Sequence, residues 1–171
     1  GRTLDGWAPT GNAQWTVEDG CLVGRQGAGG AAGDLFTTAR WTDFDAECEW
    51  RMKWPGNSGF WFRYSGPRTG YQADFIDQPS HPNVYSGSLY CMGKAFLAEN
   101  HRPETVHRDG WNKLAITARG DHYVVRLNGA TVADVRDKTF LTAGSLGLQV
   151  HAGAEFAGME VRVRRLRVRS H

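Results

Sequence analysis

The strict alternation of apolar and polar residues from Phe44 to Lys53 constrains the fold more than any other feature of this sequence. One side of the segment carries Phe44, Ala46, Cys48, Trp50 and Met52, and the other carries Asp45, Glu47, Glu49, Arg51 and Lys53. Side chains alternate between the two faces of a β-strand, so this pattern predicts a strand with one face in a core and the other in water.

Turn signals at short intervals extend this prediction to the whole chain. Asp19-Gly20 joins Trp15–Val17 to Cys21–Val23, and a similar step at Asn128-Gly129 turns the chain into Thr131–Val135, the last strand of a three-strand meander. Asp-Gly and Asn-Gly steps favour tight hairpins because these residues accept positive φ angles. We expect about eleven or twelve strands and no long helix, which is typical of an all-β sandwich.

The length and the glycine content agree with this class. The chain has 171 residues, 22 of them glycine, and 12% of its residues are aromatic. A chain of this length can bury one continuous core, so we expect a single domain over residues 1–171. The stretch from Phe96 to Asp109 contains Pro103 and lacks periodicity, and we expect it to form a long loop.

Charge and cysteine content exclude several functional classes. A net charge of +2 does not favour a nucleic-acid partner, and the arginines between Arg162 and Arg169 alternate with apolar residues as on a solvated strand. The three cysteines lack zinc-site and CxxC spacing and allow at most one disulfide. No apolar run is long enough for a membrane span, and no calcium-loop spacing is present, so we expect no metal and no cofactor.

The segment from Asn57 to Arg63 carries the first candidate site residues. Alternation places Gly59, Trp61 and Arg63 on one face. An indole beside a guanidinium offers a flat apolar surface and a fixed set of donors, which suits a sugar ring. The alternative is an outward arginine that covers a surface tryptophan.

Two further strands carry polar residues on one face. Gln72 and Asp74 share a face of one, and Asp77 lies at its end, where an aspartate can also cap a turn. Gln149 and His151 share a face of the other. A carboxyl group or an imidazole can transfer protons, although a single histidine at a strand end is often structural. We expect Trp61, Arg63, Gln72, Asp74, Gln149 and His151 to meet on one face.

The sequence also resembles the 3-keto-disaccharide hydrolase domain family. The residues that carry the resemblance occur in family order along nearly the whole chain: Leu4-Asp5-Gly6-Trp7, Trp15 to Gly20, Asn57-Ser58-Gly59-Phe60 with Arg63, Gly70-Tyr71-Gln72 through Asp77, Gly87 to Tyr90, Gly110-Trp111-Asn112, Leu127-Asn128-Gly129, Gly147 to His151, and Val161 to Val168. The resemblance implies a two-sheet antiparallel jelly-roll sandwich of the concanavalin A-like lectin/glucanase type.

The resemblance further implies a carbohydrate-active enzyme that binds its ligand on the concave sheet. Gln72 stands where the family usually has Glu, Asp74 where it usually has Gln, and Arg165 where it usually has Asn. The site carboxylate is therefore moved rather than lost, which favours Asp74 and Asp77 over Gln72 as acid or base.

Cleavage of a 3-keto-glycoside or 3-keto-disaccharide by removal of the C2 proton is the leading hypothesis. It needs a base, a stabiliser of the enolate and an acid. The expected roles are these: Asp74 or His151 as base, Tyr90 or Asp77 as acid, Arg63 and Gln149 as stabilisers, Trp61 stacked on the ring, and Gln72 and Asn57 in substrate binding.

Two other functions stay open from the sequence. An ordinary glycosidase would need two carboxyl groups about 5 to 10 Å apart. A non-catalytic carbohydrate-binding module is favoured slightly by Gln72 in place of Glu. The expected partners are a small-molecule or oligosaccharide substrate and a sugar 3-dehydrogenase, either fused or separate. We expect an exported protein, periplasmic or extracellular, because enzymes of this fold that act on glycans commonly are.

Overall fold

The computed structural model of the chain describes residues 2–77 and 81–171, with the side chain of Asp77 also outside this description. Fourteen strands in these residues form two antiparallel seven-stranded sheets. The first sheet has the order β1-β4-β13-β6-β7-β8-β9, and the second has the order β12-β11-β10-β5-β14-β3-β2. The predicted all-β jelly-roll sandwich is confirmed.

The strands of the first sheet are β1 (Trp7–Gly11), β4 (Gly33–Thr37), β6 (Gly56–Tyr64), β7 (Tyr71–Asp77), β8 (Tyr85–Cys91), β9 (Phe96–Asn100) and β13 (Ser145–Val150). The strands of the second sheet are β2 (Gln14–Glu18), β3 (Cys21–Arg25), β5 (Phe44–Lys53), β10 (Asn112–Arg119), β11 (His122–Leu127), β12 (Ala130–Arg136) and β14 (Glu160–Ser170). The described residues also form three single-turn 3₁₀ helices between strands: Ala28–Gly30, Pro103–Thr105 and Ala154–Phe156.

The strongest sequence patterns correspond to strands in the structure. The alternating segment is β5, whose apolar side is buried along its whole length. Asp19 and Gly20 both have positive φ, 51° and 74°, and turn the chain from β2 into β3. The meander predicted around Asn128-Gly129 is formed by β10, β11 and β12.

The prediction of a long loop from Phe96 to Asp109 is wrong in its first part. Phe96–Asn100 is β9, the edge strand that pairs with β8. The pairing is irregular, with register shifts on both sides of Leu89, and the half-buried residues of β9 do not alternate cleanly. An edge strand of this kind leaves no period-two signal in the sequence.

The core lies between the inner faces of the two sheets. Trp50 of β5 stacks on Phe75 of β7 at a ring-centroid distance of 4.0 Å, and both are fully buried. Phe60, Phe62 and Leu148 face the same core from the first sheet. Because neighbouring residues point to opposite faces, the residues between them point outward. The outer face of the first sheet is therefore the place where the predicted site residues must lie.

Candidate functional site

A cleft of about 270 Å³ lies on the outer face of the first sheet. Its lining includes five of the predicted site residues that strand alternation placed together: Trp61, Gln72, Asp74, Gln149 and His151. They come from β6, β7 and the end of β13, which are neighbours in the sheet. Asn57 and Tyr90 line the same cleft. We call it the first cavity.

Strand register arranges the polar side chains in a row across the sheet. Asp34 of β4 pairs with Gln149 of β13. Leu148 pairs with Phe60, so Gln149 lies beside Gly59, and Gly59 pairs with Asp74 of β7. Across the sheet, the row therefore reads Asp34, Gln149, Gly59 and Asp74. It has an acidic residue at each end, and the glycine leaves space above the sheet.

The side chain of Gln72 occupies the space above Gly59. A Cβ atom added to Gly59 would come within 2.6 Å of the Gln72 side chain. Because Cβ contacts under 3 Å do not occur in practice, any larger residue here would displace Gln72. Glycine at this position allows the amide of Gln72 to lie between Asp74, Trp61 and Gln149.

The Gln72 amide has two hydrogen-bonded orientations. In one, its nitrogen donates to Gln149 Oε1 at 3.1 Å and its oxygen faces Asp74. Two oxygens can share a hydrogen bond only if one is protonated, so this orientation requires a proton on Asp74. In the other, the nitrogen donates to Asp74 Oδ1 at 2.8 Å and the oxygen accepts from Trp61 Nε1 at 3.3 Å.

Burial shifts Asp74 toward its protonated form. The residue is 7% exposed, and burial raises the pKa of its carboxyl group well above the ordinary value. Desolvation disfavours the charged carboxylate, and no arginine or lysine among the described residues forms an ion pair with it. Asp74 is therefore suited to donate a proton rather than to remove one.

His151 lies at the mouth of the cleft with one ring nitrogen fixed. Its Nδ1 lies 2.6 Å from the backbone oxygen of Ala152, and its ring stands edge-on to Phe156. A carbonyl oxygen can only accept, so Nδ1 carries the hydrogen and the lone pair of the neutral ring is on Nε2. His151 thus presents a basic nitrogen that a backbone hydrogen bond orients.

Asp34 is a site residue that the sequence reasoning missed. Its Oδ1 accepts a hydrogen bond of 3.1 Å from Trp61 Nε1, and burial raises the pKa of its carboxyl group to about 6 against the opposing effects of Trp61 and His151. The alternation of β4, with Leu35 in the core, could have placed Asp34 on the outer face. What the sequence does not show is that β4 pairs with β13, which places Asp34 beside Gln149.

The prediction that Arg63 shares the face of Trp61 is wrong. Arg63 has a left-handed backbone, with φ of 55°, at an irregular pairing of β6 with β13. This irregularity, a β-bulge, reverses the alternation, and the side chain, 1% exposed, turns toward one end of the sandwich. Its guanidinium donates to Asp43 Oδ1 at 3.2 Å, to the Gly120 oxygen at 3.0 Å and to the Leu141 oxygen, and it lies over the ring of Tyr123.

The remaining predicted residues have different surroundings. Tyr90 pairs with Gln72 across β7 and β8 and meets Phe96 edge to face at 5.6 Å. The backbone oxygen of Asn57 accepts from the His151 amide at 3.2 Å. Asp77 ends β7, and its side chain lies outside the described part of the chain.

Three residues that line the cleft were not predicted from the sequence: His81, Met92 and Phe96. His81 and Phe96 meet edge to face at 5.8 Å. Both lie outside the strands that alternation had marked as polar, one in the connection to β8 and the other in the irregular edge strand β9.

Residues 2–77 and 81–171 contain no group of three or more His, Cys, Asp or Glu side chains arranged to hold a metal ion. In the same residues, no helix has the length and apolar character that crossing a bilayer requires.

The fold and the cleft define a class. Two antiparallel sheets with an aromatic and polar cleft on one outer face are the architecture of carbohydrate-active jelly-roll proteins. Within this class, the chain belongs to the family of the 3-keto-alpha-glucoside-1,2-lyase-like domain, which matches residues 1–169. This membership gives the chain a carbohydrate-related function.

A curated relative is similar to this chain over two thirds of its length. The 3-keto-disaccharide hydrolase of Bacteroides thetaiotaomicron is 35% identical to this chain, and the match covers 68% of this chain and 49% of the relative. The chain thus spans about half the length of that protein.

Solved structures share the fold at low sequence identity. The carbohydrate-binding module CBM66 from Bacillus subtilis has a TM-score of 0.76 and 21% identity, covering 96% of each chain. A putative glycosyl hydrolase from Parabacteroides distasonis has a TM-score of 0.72 and 17% identity, covering 96% of this chain and 99% of the other. At these identities the similarity shows the fold alone.

Proposed function

We propose that this chain cleaves the glycosidic bond of a 3-keto-glycoside or 3-keto-disaccharide by elimination followed by hydration. The observation that carries this proposal is the presence, in one cleft, of an imidazole oriented by a backbone hydrogen bond, His151, and a buried carboxyl group whose pKa burial raises, Asp74. The family of the chain and its relative named 3-keto-disaccharide hydrolase support the substrate class.

The reaction starts at C2 of the sugar. The C3 ketone acidifies the C2 hydrogen, and Nε2 of His151 removes it as a proton. The electron pair of the C2–H bond becomes the C2=C3 bond of an enolate, and hydrogen-bond donors around the cleft stabilise the charge on its oxygen. The amide groups of Gln72 and Gln149 and the hydroxyl of Tyr90 are such donors.

The glycosidic bond breaks in the second step. The enolate electrons form a C1=C2 double bond and restore the C3 carbonyl, and the C1–O bond breaks with its electron pair on the leaving oxygen. Asp74 supplies the proton that this oxygen needs. Water then adds across C1 and C2, with hydroxide on C1 and a proton on C2, to give the free 3-keto sugar.

The raised pKa of Asp74 assigns the two proton transfers to different groups. The sequence alone left Asp74 and His151 as equal candidates for the base. A carboxyl group that holds its proton is a weak base and a good acid, whereas the lone pair on Nε2 of His151 accepts a proton. The proposal therefore takes His151 as base and Asp74 as acid.

A substrate of this kind requires a preceding reaction. The C3 hydroxyl of an ordinary glycoside must first be oxidised to a ketone. A sugar 3-dehydrogenase, separate or part of the same protein, is therefore the proposed partner.

The test compares methyl 3-keto-α-glucoside with methyl α-glucoside. We expect the wild type to release methanol only from the 3-keto substrate, with transient absorbance of the enone, and to react several-fold more slowly when C2 carries deuterium. His151→Ala should lower kcat about 100- to 10,000-fold. The matched control is His122→Ala, which removes a histidine bonded to Asp134 on the other sheet and should leave kcat unchanged.

Two outcomes would contradict the elimination. Cleavage of the unoxidised glycoside would indicate an ordinary glycosidase. Saturable sugar binding without any product would indicate a non-catalytic binding module, a function supported by the shared fold with CBM66 and by the aromatic rings of Trp61, Tyr90 and Phe96 in the cleft.

A further inference from the structure

A second cavity, of about 350 Å³, adjoins the first on the outer face of the first sheet. The two cavities share Gln149 and His151, so they lie on the two sides of the end of β13. Their volumes are close to the lower limit of about 300 Å³ for small-ligand clefts. Nothing in the reaction proposed above uses the second cavity.

The linings of the two cavities differ in chemistry. The first contains the rings of Trp61, Tyr90 and Phe96. The second, as far as the described residues line it, contains small residues, the backbone of Gly11 and Gly33, and the polar side chains of Thr10 and Asp34 beside the shared residues. Aromatic planes bind the apolar face of a sugar ring, whereas hydroxyl and carboxylate groups bind sugar hydroxyls.

Strand register connects the second cavity to Gln149, one of the two residues that the cavities share. Thr10 of the edge strand β1 pairs with Asp34, and Asp34 pairs with Gln149. Paired residues of antiparallel strands share a face, so the Thr10 side chain stands beside the Asp34 carboxylate. The row described above thus continues to the edge of the sheet.

The geometry of the reaction determines what the second cavity can hold. The base at the boundary removes the C2 proton, and the bond that breaks is on C1, one bond away. If the keto ring lies against the aromatic lining of the first cavity with its glycosidic oxygen toward Asp74, the rest of the C1 substituent extends past Gln149 and His151 into the second cavity.

We infer that the second cavity is the subsite for the leaving group and that it accepts a second sugar rather than an aryl group. The inference rests on the proposed function and deepens it. Thr10 and Asp34 bind hydroxyls of the leaving sugar, and Gln149 and His151 face the scissile bond.

The experiment varies the leaving group and the Thr10 side chain together. The substrates are methyl 3-keto-α-glucoside, p-nitrophenyl 3-keto-α-glucoside and a 3-keto-disaccharide of two glucose units. Thr10→Val keeps the shape and removes the hydroxyl. It should lower kcat/KM for the disaccharide about fivefold and change the value for the methyl and aryl substrates less than twofold.

Thr131→Val is the matched control. It makes the same substitution at an exposed position of β12, the edge strand of the second sheet, and should change none of the three values. An equal loss on all three substrates, no loss on the disaccharide, or a loss on the aryl substrate alone would overturn the subsite.

A binding measurement separates the failure of the subsite from the failure of the proposed function. Free glucose, the leaving sugar of the test disaccharide, is titrated into the protein while backbone amide resonances are recorded. Shifts at Thr10, Gly33 and Asp34 that weaken in Thr10→Val support the subsite even if no substrate is cleaved. The absence of such shifts overturns it, even if the methyl substrate is cleaved.

Discussion

The two outer faces of this sandwich carry carboxyl groups whose pKa values are shifted in opposite directions. On the second sheet, Arg164 Nε donates to Glu49 at 2.7 Å, and this hydrogen bond lowers the pKa of the carboxyl group. On the first sheet, burial raises the pKa values of Asp34 and Asp74, and neither is ion-paired within the described residues. The bonded partners of Asp34 and Asp74 are an indole and an amide instead.

The difference gives a criterion for separating carboxylates that serve only the structure of this fold from carboxyl groups that can take part in a reaction. Exposed ion pairs contribute little to stability because water and salt screen them. A buried carboxyl group without a cation costs folding free energy when it ionises, and it holds a proton that a reaction can use. The predictions below test this contrast from both faces.

The largest expected effect is on catalysis at the buried acid. Asp74→Asn keeps the size of the side chain and removes the transferable proton, so kcat should fall about 100- to 10,000-fold with no loss of folding stability. The paired control, Glu49→Gln, makes the same chemical change on the other face and should leave kcat unchanged. Steady-state assays with a 3-keto-glycoside and a denaturation curve measure both. Equal kcat values for the two variants would break the comparison.

Arg63 tests whether a predicted site residue acts only in folding. Arg63→Met leaves the oxygens of Gly120 and Leu141 without their donor inside the structure, and it should destabilise the protein by about 2 to 4 kcal/mol in urea denaturation. At a temperature where the variant is folded, kcat/KM should stay within about twofold of wild type. Arg136→Met, at an arginine that is 68% exposed, should cost less than about 0.5 kcal/mol. A loss of activity with unchanged stability would indicate that Arg63 contacts the substrate after all.

The raised pKa of Asp34 makes the stability of the folded protein depend on pH. Its pKa rises from 3.8 to about 6 in the folded protein, so the folded state holds this proton more tightly than the unfolded state. Its contribution to stability is complete below about pH 4 and is lost as the pH rises through about 6. Asp34→Asn lacks this dependence, and relative to wild type it should gain up to about 3 kcal/mol between pH 4 and pH 7.

The control for this pH series is Asp19→Asn. The side chain of Asp19 is 96% exposed, and asparagine also tolerates its positive φ. This variant makes the same chemical change at a solvent-exposed position and serves as the reference for the series. A difference between Asp34→Asn and wild type that does not change with pH would contradict the raised pKa of Asp34.

The smallest effect is expected on the ion-paired face. Against the opposing effect of burial, Arg162 and Arg25 lower the pKa of Glu160. Glu160→Gln should destabilise the protein by at most about 1 kcal/mol at low salt and by less in 1 M NaCl, because solvent reaches these partly exposed ion pairs and salt screens them. Urea denaturation at both salt concentrations measures this change. A larger loss of stability, or one that salt does not reduce, would contradict the view that the ion pairs of this face are screened and contribute little to stability.

The fold could be predicted where strand periodicity and turn chemistry agree. Alternation defined β5, and the left-handed Asp19-Gly20 step defined the hairpin of β2 and β3. The strands β1 and β9 were missed because they lie at the edges of the first sheet and lack a period-two pattern, with Pro9 inside β1. Pairing with a neighbour, rather than local sequence, makes them strands.

The site could be predicted only in part, for two physical reasons. Parity within a strand identified Trp61, Gln72, Asp74, Gln149 and His151 as outward residues, but the bulge at Arg63 reverses parity and has no sequence signal of its own. Burial is the second reason. The raised pKa of Asp74 depends on desolvation by residues distant in sequence, which alternation cannot reveal.

The three buried cysteines can report local unfolding of the strands around them. Cys21 of β3, Cys48 of β5 and Cys91 of β8 are unpaired thiols, exposed by 5%, 2% and 0%. A thiol-modifying reagent can react with them only when the surrounding strands separate from their neighbours. The rate of modification at each cysteine, followed by mass spectrometry, therefore measures how often the edge hairpin, the centre of the second sheet and the strand beside the cleft each come apart. The intact protein can report the order of these events without any engineered label.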